Sequence, residues 1–222
     1  MKKVLLIAFI LVSAGELIAI LTGAELMHRI FKPLIMVALA LYYWFSTGTG
    51  DRSAFVLLAI FFSFLGDTVL LFEDRSALYF MLGLASFLLA HLFYIFAYRQ
   101  HRNDNTHTQL QGVQRARFAF PIILAITGLV VILYPVLGAL RIPVIVYAFV
   151  IVIMVLSALF RYGRTTSQSF WMVFGGALLF MVSDSLLAIN KFLQPLANAG
   201  FEIMATYCVA QLLIVRGLVK HR

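Results

Sequence analysis

The stretch FVLLAIFFSFLGDTVLL at residues 55–71 decides the fold, because it is an apolar run of helix-spanning length with one charged residue, Asp67. A second run, FWMVFGGALLFMVSDSLL at residues 170–187, also contains a single charge, Asp184. A carboxylate inside a lipid-spanning helix is costly unless it faces a partner or a polar cavity. The two runs therefore predict transmembrane helices that contribute to a buried polar site.

The composition of the chain indicates an integral membrane protein. Hydrophobic residues form 63% of the 222 residues, charged residues form 12%, and the mean hydropathy is +1.01. Soluble domains average roughly 45–50% apolar and about 25% charged residues. The apolar runs are too long for barrel strands of about 9–11 residues, so we expect one all-α transmembrane domain over residues 1–222. Its eight helices are predicted at residues 4–22, 33–46, 54–72, 79–98, 118–136, 142–160, 169–189 and 199–217.

The first apolar segment follows Lys2 and Lys3, a pattern that also describes a signal peptide. The segment continues past Gly15 and Glu16 and lacks a clear small-residue cleavage site. We therefore expect it to be retained as the first membrane helix.

The basic residues predict how these helices are oriented. With the N-terminus inside, twelve of the 17 Lys and Arg residues fall in the inner segments and five in the outer ones. The positive-inside rule then places both termini in the cytoplasm, and the chain in the cell or inner membrane if its source is bacterial. The net charge of +8 favours anionic lipid headgroups as partners at the cytoplasmic face, and no nucleic-acid motif is present.

The predicted helix directions place several polar residues at defined depths. At about 1.5 Å per residue, Asp67 and Asp184 fall roughly 8 Å below the outer hydrocarbon boundary. His91 and Gln211 fall about 18 Å down, and Tyr207 lies one helical turn above Gln211. Three further polar residues are expected at the outer rim: Lys32, Asn190 and Lys191.

The two aspartate segments resemble each other. Gly66-Asp67 and Ser183-Asp184 each place a small residue before the aspartate, and leucines follow both. The segments lie four predicted helices apart and have the same orientation. This pattern is typical of a parallel duplication of a four-helix unit.

The polar residues also have structural interpretations. Either aspartate could be a helix-end residue that reaches the interface, and Lys32, directly before Pro33, could be a snorkelling anchor at a helix start. His91 could be a packing histidine, although the small residues from Gly83 to Ala90 predict that its side of the helix faces protein. Two further carboxylates are either additional site residues or surface groups: Glu16 and Glu202.

Sequence motifs of several enzyme classes are absent. The chain has no G-x-S-x-G elbow, no H-E-x-x-H, no P-loop and no dinucleotide fingerprint, so we expect no cofactor. His91 with Asp67 and Asp184 could bind a metal by ligand type alone, but no His or Cys cluster supports one, and none is expected. His28 is placed in an outer loop near Lys32.

The chain resembles the YhhN family along most of its length. The segments that carry the resemblance are Lys32-Pro33-Leu34, Ser63-Phe64-Leu65-Gly66-Asp67, Gly83 with Phe87, His91 and Tyr94, residues 183–192, and Thr206-Tyr207 with Ala210-Gln211. This family comprises eight-helix membrane proteins, and its characterised animal members are lysoplasmalogenases. The resemblance implies hydrolysis of the vinyl ether bond of a lysoplasmalogen to a fatty aldehyde and a glycerophospho-alcohol.

Two carboxyl groups suit this chemistry independently of the resemblance. Cleavage requires protonation of the vinyl ether β-carbon and attack of water on the resulting oxocarbenium ion, so it needs an acid and a base, as in a glycosidase pair. We expect Asp67 and Asp184 to supply both, less than about 10 Å apart, in roles that their sequence does not distinguish. Lys32, Asn190 and Lys191 would contact the phosphate headgroup, and the supporting residues are His91, Tyr94, Tyr207 and Gln211.

A proton-coupled transporter or carrier of a small or lipid-like substrate is the alternative, since intramembrane carboxylates also serve proton relays. No helix is broken by Gly or Pro near either aspartate, and no inverted symmetry is evident, which argues against this alternative. A lipid-binding or receptor-like protein without chemistry is a third interpretation. We favour the hydrolase, because the paired aspartates match the acid and base that the reaction requires.

Overall fold

The computed structural model describes residues 1–103 and 109–221, and all regular secondary structure within these ranges is helical. The predicted all-α architecture with eight helices is confirmed for this part of the chain. The helices are α1 (Lys2–Thr22), α2 (Glu25–Ser46), α3 (Ala54–Leu70), α4 (Ala77–Gln100), α5 (Val113–Leu133), α6 (Arg141–Leu159), α7 (Ser167–Phe192) and α8 (Ala199–Val219). Two short 3₁₀ turns separate α5 from α6: Tyr134–Val136 and Gly138–Leu140.

Helix α2 begins at Glu25 rather than at residue 33, and Pro33 lies inside it. The first turns of α2 are rich in charged residues, so their hydrophobicity did not indicate a membrane helix. Membrane helices also tolerate an internal proline, so Pro33 does not mark a helix start. The predictions that Lys32 stands at a helix start and that His28 lies in an outer loop are therefore wrong, because both residues lie within α2.

The helices have the length and surface of membrane spans. Seven of those described are long and apolar enough to cross a membrane, and α3 is apolar but shorter, with 17 residues. At 1.5 Å per residue, α3 extends about 26 Å, close to the roughly 30 Å of a bilayer core. Large apolar side chains point outward, including Leu11 (65% exposed), Phe120 (64%) and Ile142 (75%). Such a surface suits contact with lipid, so the chain is a multi-pass integral membrane protein.

The first of two compact units covers Met1–Ala97. Its helices α1 and α2 form a hairpin in which Gly23 ends α1 with a φ of 66°, a left-handed conformation that glycine adopts without strain. Two turns before this point, Gly15 packs against Phe31, and a Cβ atom at Gly15 would lie 3.0 Å from the ring. The hairpin is therefore tightly closed at the end that contains the α1–α2 connection.

The second unit covers Tyr98–Arg222 and is described to residue 221. Its helices α7 and α8 pack closely, because Gly176 and Gly217 have no side chains. A Cβ atom at Gly176 would lie 2.8 Å from the carbonyl oxygen of Ala210, and one at Gly217 would lie 2.7 Å from Val173 Cγ2. Close backbone approach through small residues is a common means of helix association in membranes.

A buried arginine joins several segments of the second unit. Arg161, which follows α6, is 0% exposed and donates hydrogen bonds through Nε and Nη2 to the carbonyl oxygen of His101. Its Nη2 also donates to Ser169 Oγ, and that hydroxyl donates to the carbonyl oxygen of Gly217. Burial lowers the pKa of Arg161 from its ordinary value to about 10.

Each unit carries an aspartate on its third complete helix, Asp67 on α3 and Asp184 on α7. This arrangement agrees with the predicted duplication of a four-helix unit. The duplication stays a prediction, as does the single-domain organisation of residues 1–222.

Candidate active site

Asp67 lies on the buried face of α3. The buried residues of this helix recur at helical spacing: Val56, Ala59, Ile60, Ser63, Gly66 and Asp67. The Asp67 side chain is 2% exposed. Its carboxyl group therefore faces protein rather than lipid, as a membrane helix requires of an ionisable residue.

Close packing of α3 against α4 fixes the backbone around Asp67. A Cβ atom at Gly66 would lie 2.6 Å from the ring of Phe87, and one at Gly83 would lie 2.6 Å from Leu70 Cδ2. Real Cβ atoms do not approach other atoms this closely, so a side chain at either position would force Phe87 or Leu70 to shift. The two contacts lie on either side of Asp67 along α3.

His91 and Tyr94 lie on the buried face of α4, together with Phe87 and Ala90. Both His91 and Tyr94 are 0% exposed. Spacings of three and four residues place these four side chains on one side of the helix. Because His91 is fully buried, the prediction that it faces protein is confirmed.

An apolar groove of about 370 Å³ runs between α2 and α3 within the first unit. Ile60 and Phe64 belong to its lining and lie seven and three residues before Asp67, so all three share one side of α3. The residues that line the groove are Met36, Val37, Ala40, Leu41, Trp44, Leu57, Ile60, Phe61 and Phe64. Asp67 thus lies about one helical turn beyond the last α3 residue of the groove. This groove was not predicted from the sequence.

The α1–α2 hairpin contains a buried ion pair. Glu16 Oε1 lies 2.7 Å from His28 Nδ1, and the side chain of Glu16 is 0% exposed, whereas that of His28 is 32% exposed. Lys32 is half-buried and lies one turn after His28 on α2. The pair was not predicted, because His28 was expected to lie in a loop. The available signal was the four-residue spacing of His28 and Lys32, which places both on one side of a helix.

Asp184 in the second unit is half-buried and has a tyrosine partner. Its Oδ2 atom accepts a hydrogen bond from the Tyr147 hydroxyl at 2.6 Å, a length typical of a hydroxyl bound to a carboxylate. The adjacent Ser183 Oγ donates to the carbonyl oxygen of Ile203 at 2.9 Å and so joins α7 to α8. The position of Asp184 is therefore defined by contacts to both α6 and α8.

Tyr147 was not predicted as a site residue, because tyrosines in membrane helices commonly belong to interfacial belts. Its position within the run from Ile142 to Leu156 was a usable signal. Tyr147 has the only hydrogen-bonding side chain in that run. Such a group needs a partner inside the membrane, and the structure supplies Asp184.

Tyr207 and Gln211 lie one turn apart on α8 and are buried, at 3% and 0% exposure. The ring of Tyr207 meets the ring of Phe180 edge-on, with centroids 5.4 Å apart and an interplanar angle of 89°. Both residues therefore face the interior of the protein, and the Phe180 contact fixes the Tyr207 ring against α7.

The residues predicted at the outer rim of the second unit have different surroundings. Asn190 Oδ1 accepts a hydrogen bond from the backbone N–H of Leu196 at 3.0 Å, so this side chain orders the connection between α7 and α8. Lys191 and Glu202 are exposed. Of the two carboxylates predicted as either site residues or surface groups, Glu202 is therefore a surface group and Glu16 is buried.

The structure brings Glu16 to His28 in the first unit and Asp184 to Tyr147 in the second. The pairing of Asp67 with Asp184 joins residues of different units and stays a prediction. Within the described residues of either unit, no group of three or more His, Cys, Asp or Glu side chains is placed to hold a metal ion.

Comparison with known proteins identifies relatives of the chain. The model of the YhhN family matches residues 27–218. Human lysoplasmalogenase TMEM86A is 31% identical over 173 residues, which are 75% of this chain and 66% of that protein. Human lysoplasmalogenase TMEM86B is 29% identical over 189 residues, which are 85% of this chain and 74% of that protein.

A bacterial relative has similar coverage. The lysoplasmalogenase of Mycobacterium tuberculosis is 29% identical over 206 residues, 91% of this chain and 74% of that protein. The matched part of the chain thus spans about two thirds to three quarters of the length of these three relatives. No solved structure shows significant similarity to the chain.

Proposed function

We propose that this chain, which belongs to the YhhN family, is an intramembrane hydrolase that cleaves the vinyl ether bond of lysoplasmalogen-type lysophospholipids. The products are a fatty aldehyde and a glycerophospho-alcohol. The names of the relatives support the substrate class. The observation that carries the mechanism is the position of Asp67, which is buried on the side of α3 that lines an apolar groove.

The groove suits the alkenyl chain of such a substrate. A single hydrocarbon chain is apolar along its length, and every residue of the groove lining is apolar. With the chain in the groove, the vinyl ether at its polar end reaches the level of Asp67, one turn beyond the lining. The β-carbon is the vinyl carbon on the chain side, so Asp67 is the carboxyl group that meets it first.

Asp67 therefore acts as the general acid. Its carboxyl proton passes to the β-carbon, and the π electrons of the vinyl group form the new C–H bond. The resulting oxocarbenium ion carries its positive charge on the α-carbon and the ether oxygen. Proton donation by a positioned carboxylic acid contributes typically about 10²–10⁴-fold to the rate.

Asp184 then acts as the general base. It accepts a proton from the water that attacks the α-carbon, and the hemiacetal collapses to the aldehyde and the alcohol as its hydroxyl proton moves to the ether oxygen. Proton transfer from Asp184 back to Asp67 restores both groups. The hydrogen bond that the Tyr147 hydroxyl donates to Oδ2 orients the Asp184 carboxylate for this role.

The remaining polar residues are assigned supporting roles. Lys32 and Lys191 contact the phosphate headgroup, and Asn190 supports the same region by ordering the α7–α8 connection. His91, Tyr94, Tyr207 and Gln211 orient water or the acid. Both termini lie in the cytoplasm, as the basic residues indicate, so the aspartates open toward the outer half of the membrane.

An activity assay with matched lipids tests the function. The purified protein in detergent is incubated with an alkenyl lysophosphatidylethanolamine, and aldehyde release is measured. The controls are the acyl and alkyl lysolipids of the same chain length, which carry an ester or a saturated ether instead of the vinyl ether. We expect aldehyde from the alkenyl lipid and no cleavage of either control.

Absence of aldehyde from the alkenyl lipid would contradict the proposal. Reconstitution into vesicles with a pH gradient would then test the carrier alternative, since proton-coupled transport predicts movement of the lysolipid that depends on the gradient. Cleavage of the acyl control at a similar rate would show a general lysophospholipase rather than an ether hydrolase.

A further inference from the structure

The α1–α2 hairpin contains a buried carboxylate that the mechanism above does not use. Glu16 is 0% exposed; its Oε1 atom contacts His28, and its Oε2 atom makes no hydrogen bond within residues 1–103 and 109–221. A carboxylate buried in a membrane helix is costly, and a partly satisfied one more so. The residue lies before the region that matches the family model, residues 27–218.

His28 presents its second nitrogen outward. The ring is 32% exposed, Nδ1 faces Glu16 at 2.7 Å, and Nε2 makes no hydrogen bond with a described residue. The hydrogen bond to one ring nitrogen sets the role of the other. In its protonated form, the ring therefore donates from Nδ1 to Glu16 and offers Nε2–H to a ligand outside the hairpin.

Lys32 provides a second cation on the same side of α2. It lies one turn after His28, is half-buried, and forms no ion pair with a described residue. Arg29 on the same helix is instead engaged with Glu25, at 3.4 Å in an exposed i, i+4 pair. His28 and Lys32 are thus the two groups at this end of α2 that can bind an anion together.

Close packing of the hairpin fixes the backbone from which these two side chains extend. Gly15, next to Glu16, packs against the ring of Phe31, next to Lys32. Gly23 closes the hairpin with its left-handed conformation. The His28 ring, which Glu16 also orients, therefore loses less conformational entropy on binding than a mobile surface side chain does.

We propose that His28 and Lys32 bind the phosphate of the substrate headgroup, with Glu16 as a positioning residue that orients the His28 ring. This assignment rests on the proposed function, which supplies a phosphate-bearing lipid with one chain. Met36, one turn after Lys32, belongs to the lining of the α2–α3 groove. Helix α2 thus carries the proposed phosphate site at His28 and Lys32 and, from Met36 onward, part of the groove proposed for the hydrocarbon chain.

Equilibrium binding of a lipid that cannot be cleaved tests the assignment without relying on turnover. The probes are an alkyl lysophosphatidylethanolamine and the alkylglycerol of the same chain length, which lacks the phosphate. We expect His28→Gln and Lys32→Ala each to weaken binding of the lysophospholipid about tenfold or more, as loss of a charged hydrogen bond does. Binding of the alkylglycerol is expected to remain unchanged.

Two further variants serve as controls. Arg29→Gln removes a neighbouring cation that already pairs with Glu25, so it is expected to leave both affinities unchanged. His28→Arg keeps a cationic donor at the position and is expected to retain most of the lysophospholipid affinity.

Glu16→Gln tests the positioning role. The amide keeps the shape of the side chain but removes the charge that orients the His28 ring, so it is expected to lower lysophospholipid affinity by a few-fold. This loss is expected to disappear in a His28→Gln background. A loss of affinity that persists there, or that affects the alkylglycerol equally, would show that Glu16 acts on the fold instead.

Equal loss of both ligands in the His28 and Lys32 variants, or no loss of either, would overturn the phosphate site. Inorganic phosphate that binds as tightly as the lysophospholipid would overturn its assignment to a lipid headgroup. Affinity that depends on His28, found together with an absence of vinyl ether cleavage, would support the phosphate site while removing the proposed function.

Discussion

The two units carry aspartates in similar sequence segments but in different surroundings. Asp67 is almost fully buried, follows a glycine pressed against Phe87, and lies beyond an apolar groove. Asp184 is half-buried and accepts a hydrogen bond from Tyr147. Close helix packing fixes the backbone beside Asp67, and a hydrogen bond from Tyr147 orients Asp184. These different surroundings agree with the different roles proposed for the two residues, Asp67 as the acid and Asp184 as the base.

Replacement of either aspartate by asparagine is the strongest test of the roles proposed for Asp67 and Asp184. Asp67→Asn and Asp184→Asn preserve shape, and neutral residues are cheaper than charged ones in a membrane, so both variants are expected to fold. Each is expected to lower turnover by about 10²–10⁴-fold, and the double variant should be little worse, because acid and base act as a unit. Aldehyde release under substrate saturation measures the effect.

Asp74→Asn is the matched control for these variants, because Asp74 is exposed in the connection after α3. It is expected to retain full turnover. Near-normal activity of both Asp67→Asn and Asp184→Asn would show that the two carboxyl groups are structural.

Tyr147→Phe tests the hydrogen-bond partner of Asp184. It removes the hydroxyl that donates to Asp184 Oδ2, so we expect a loss of roughly 10–100-fold in kcat, the equivalent of a hydrogen bond to a charged group. Single-turnover aldehyde release separates this effect from substrate binding. Tyr134→Phe alters an exposed tyrosine and should have no effect; an equal loss there would contradict the role of Tyr147.

Glycine replacements compare how tightly the two units pack. A Cβ atom at Gly176 would meet backbone atoms of α8, so Gly176→Ala is expected to lower the free energy of unfolding by about 1–3 kcal/mol. At Gly66 the neighbour is the Phe87 ring, which can shift, so Gly66→Ala is expected to lower the free energy of unfolding less than Gly176→Ala does. It is expected to lower the rate of aldehyde release more than Gly176→Ala does, because it displaces Asp67. Thermal unfolding in detergent and the aldehyde assay report the two effects.

Gly175→Ala is the matched control for Gly176→Ala, since a Cβ atom at Gly175 meets nothing within 4 Å. Alanine is favoured over glycine inside a helix, so this variant should be as stable as the parent or slightly more so. Equal stability of the Gly175 and Gly176 variants would contradict the close packing of α7 on α8.

Ala40→Phe gives the smallest expected effect, and it falls on the groove of the first unit. The larger side chain fills part of the lining, so long alkenyl chains should lose about tenfold in kcat/KM relative to short ones. Ala14→Phe makes the same change at an exposed position on α1 and should leave the chain-length preference unchanged. An unchanged preference in Ala40→Phe would exclude the groove as the chain site.

The sequence predicted the helices well, because apolar length is a local property. It also predicted that Asp67 and His91 face protein. Exposure of a polar side chain to lipid costs free energy in any membrane fold, so such residues are expected to turn inward. The start of α2 was mispredicted, since Pro33 and the polar residues before it conceal a helix that tertiary packing stabilises. His28 was misplaced for the same reason.

The partners of the site residues were less predictable. The contact of Tyr147 with Asp184 depends on which face of α6 packs against α7, and that of Glu16 with His28 on which face of α1 packs against α2. Rotation about a helix axis depends on packing against neighbours, which an apolar sequence specifies weakly. The groove between α2 and α3 likewise arises from the shapes of both helices, whereas the pairing of Asp67 with Asp184 stays a prediction.

Arg161 has a consequence for the order in which the protein is made. Its partners are contributed by His101 near the start of the second unit, by Ser169 on α7, and through that hydroxyl by Gly217 near the end of α8. A ribosome releases these residues in sequence, so the network stays incomplete until the last helix has been inserted. A nascent chain that stalls before Gly217 therefore lacks the acceptor to which the Ser169 hydroxyl donates, so the hydrogen bonds around Arg161 are completed only when α8 is in place.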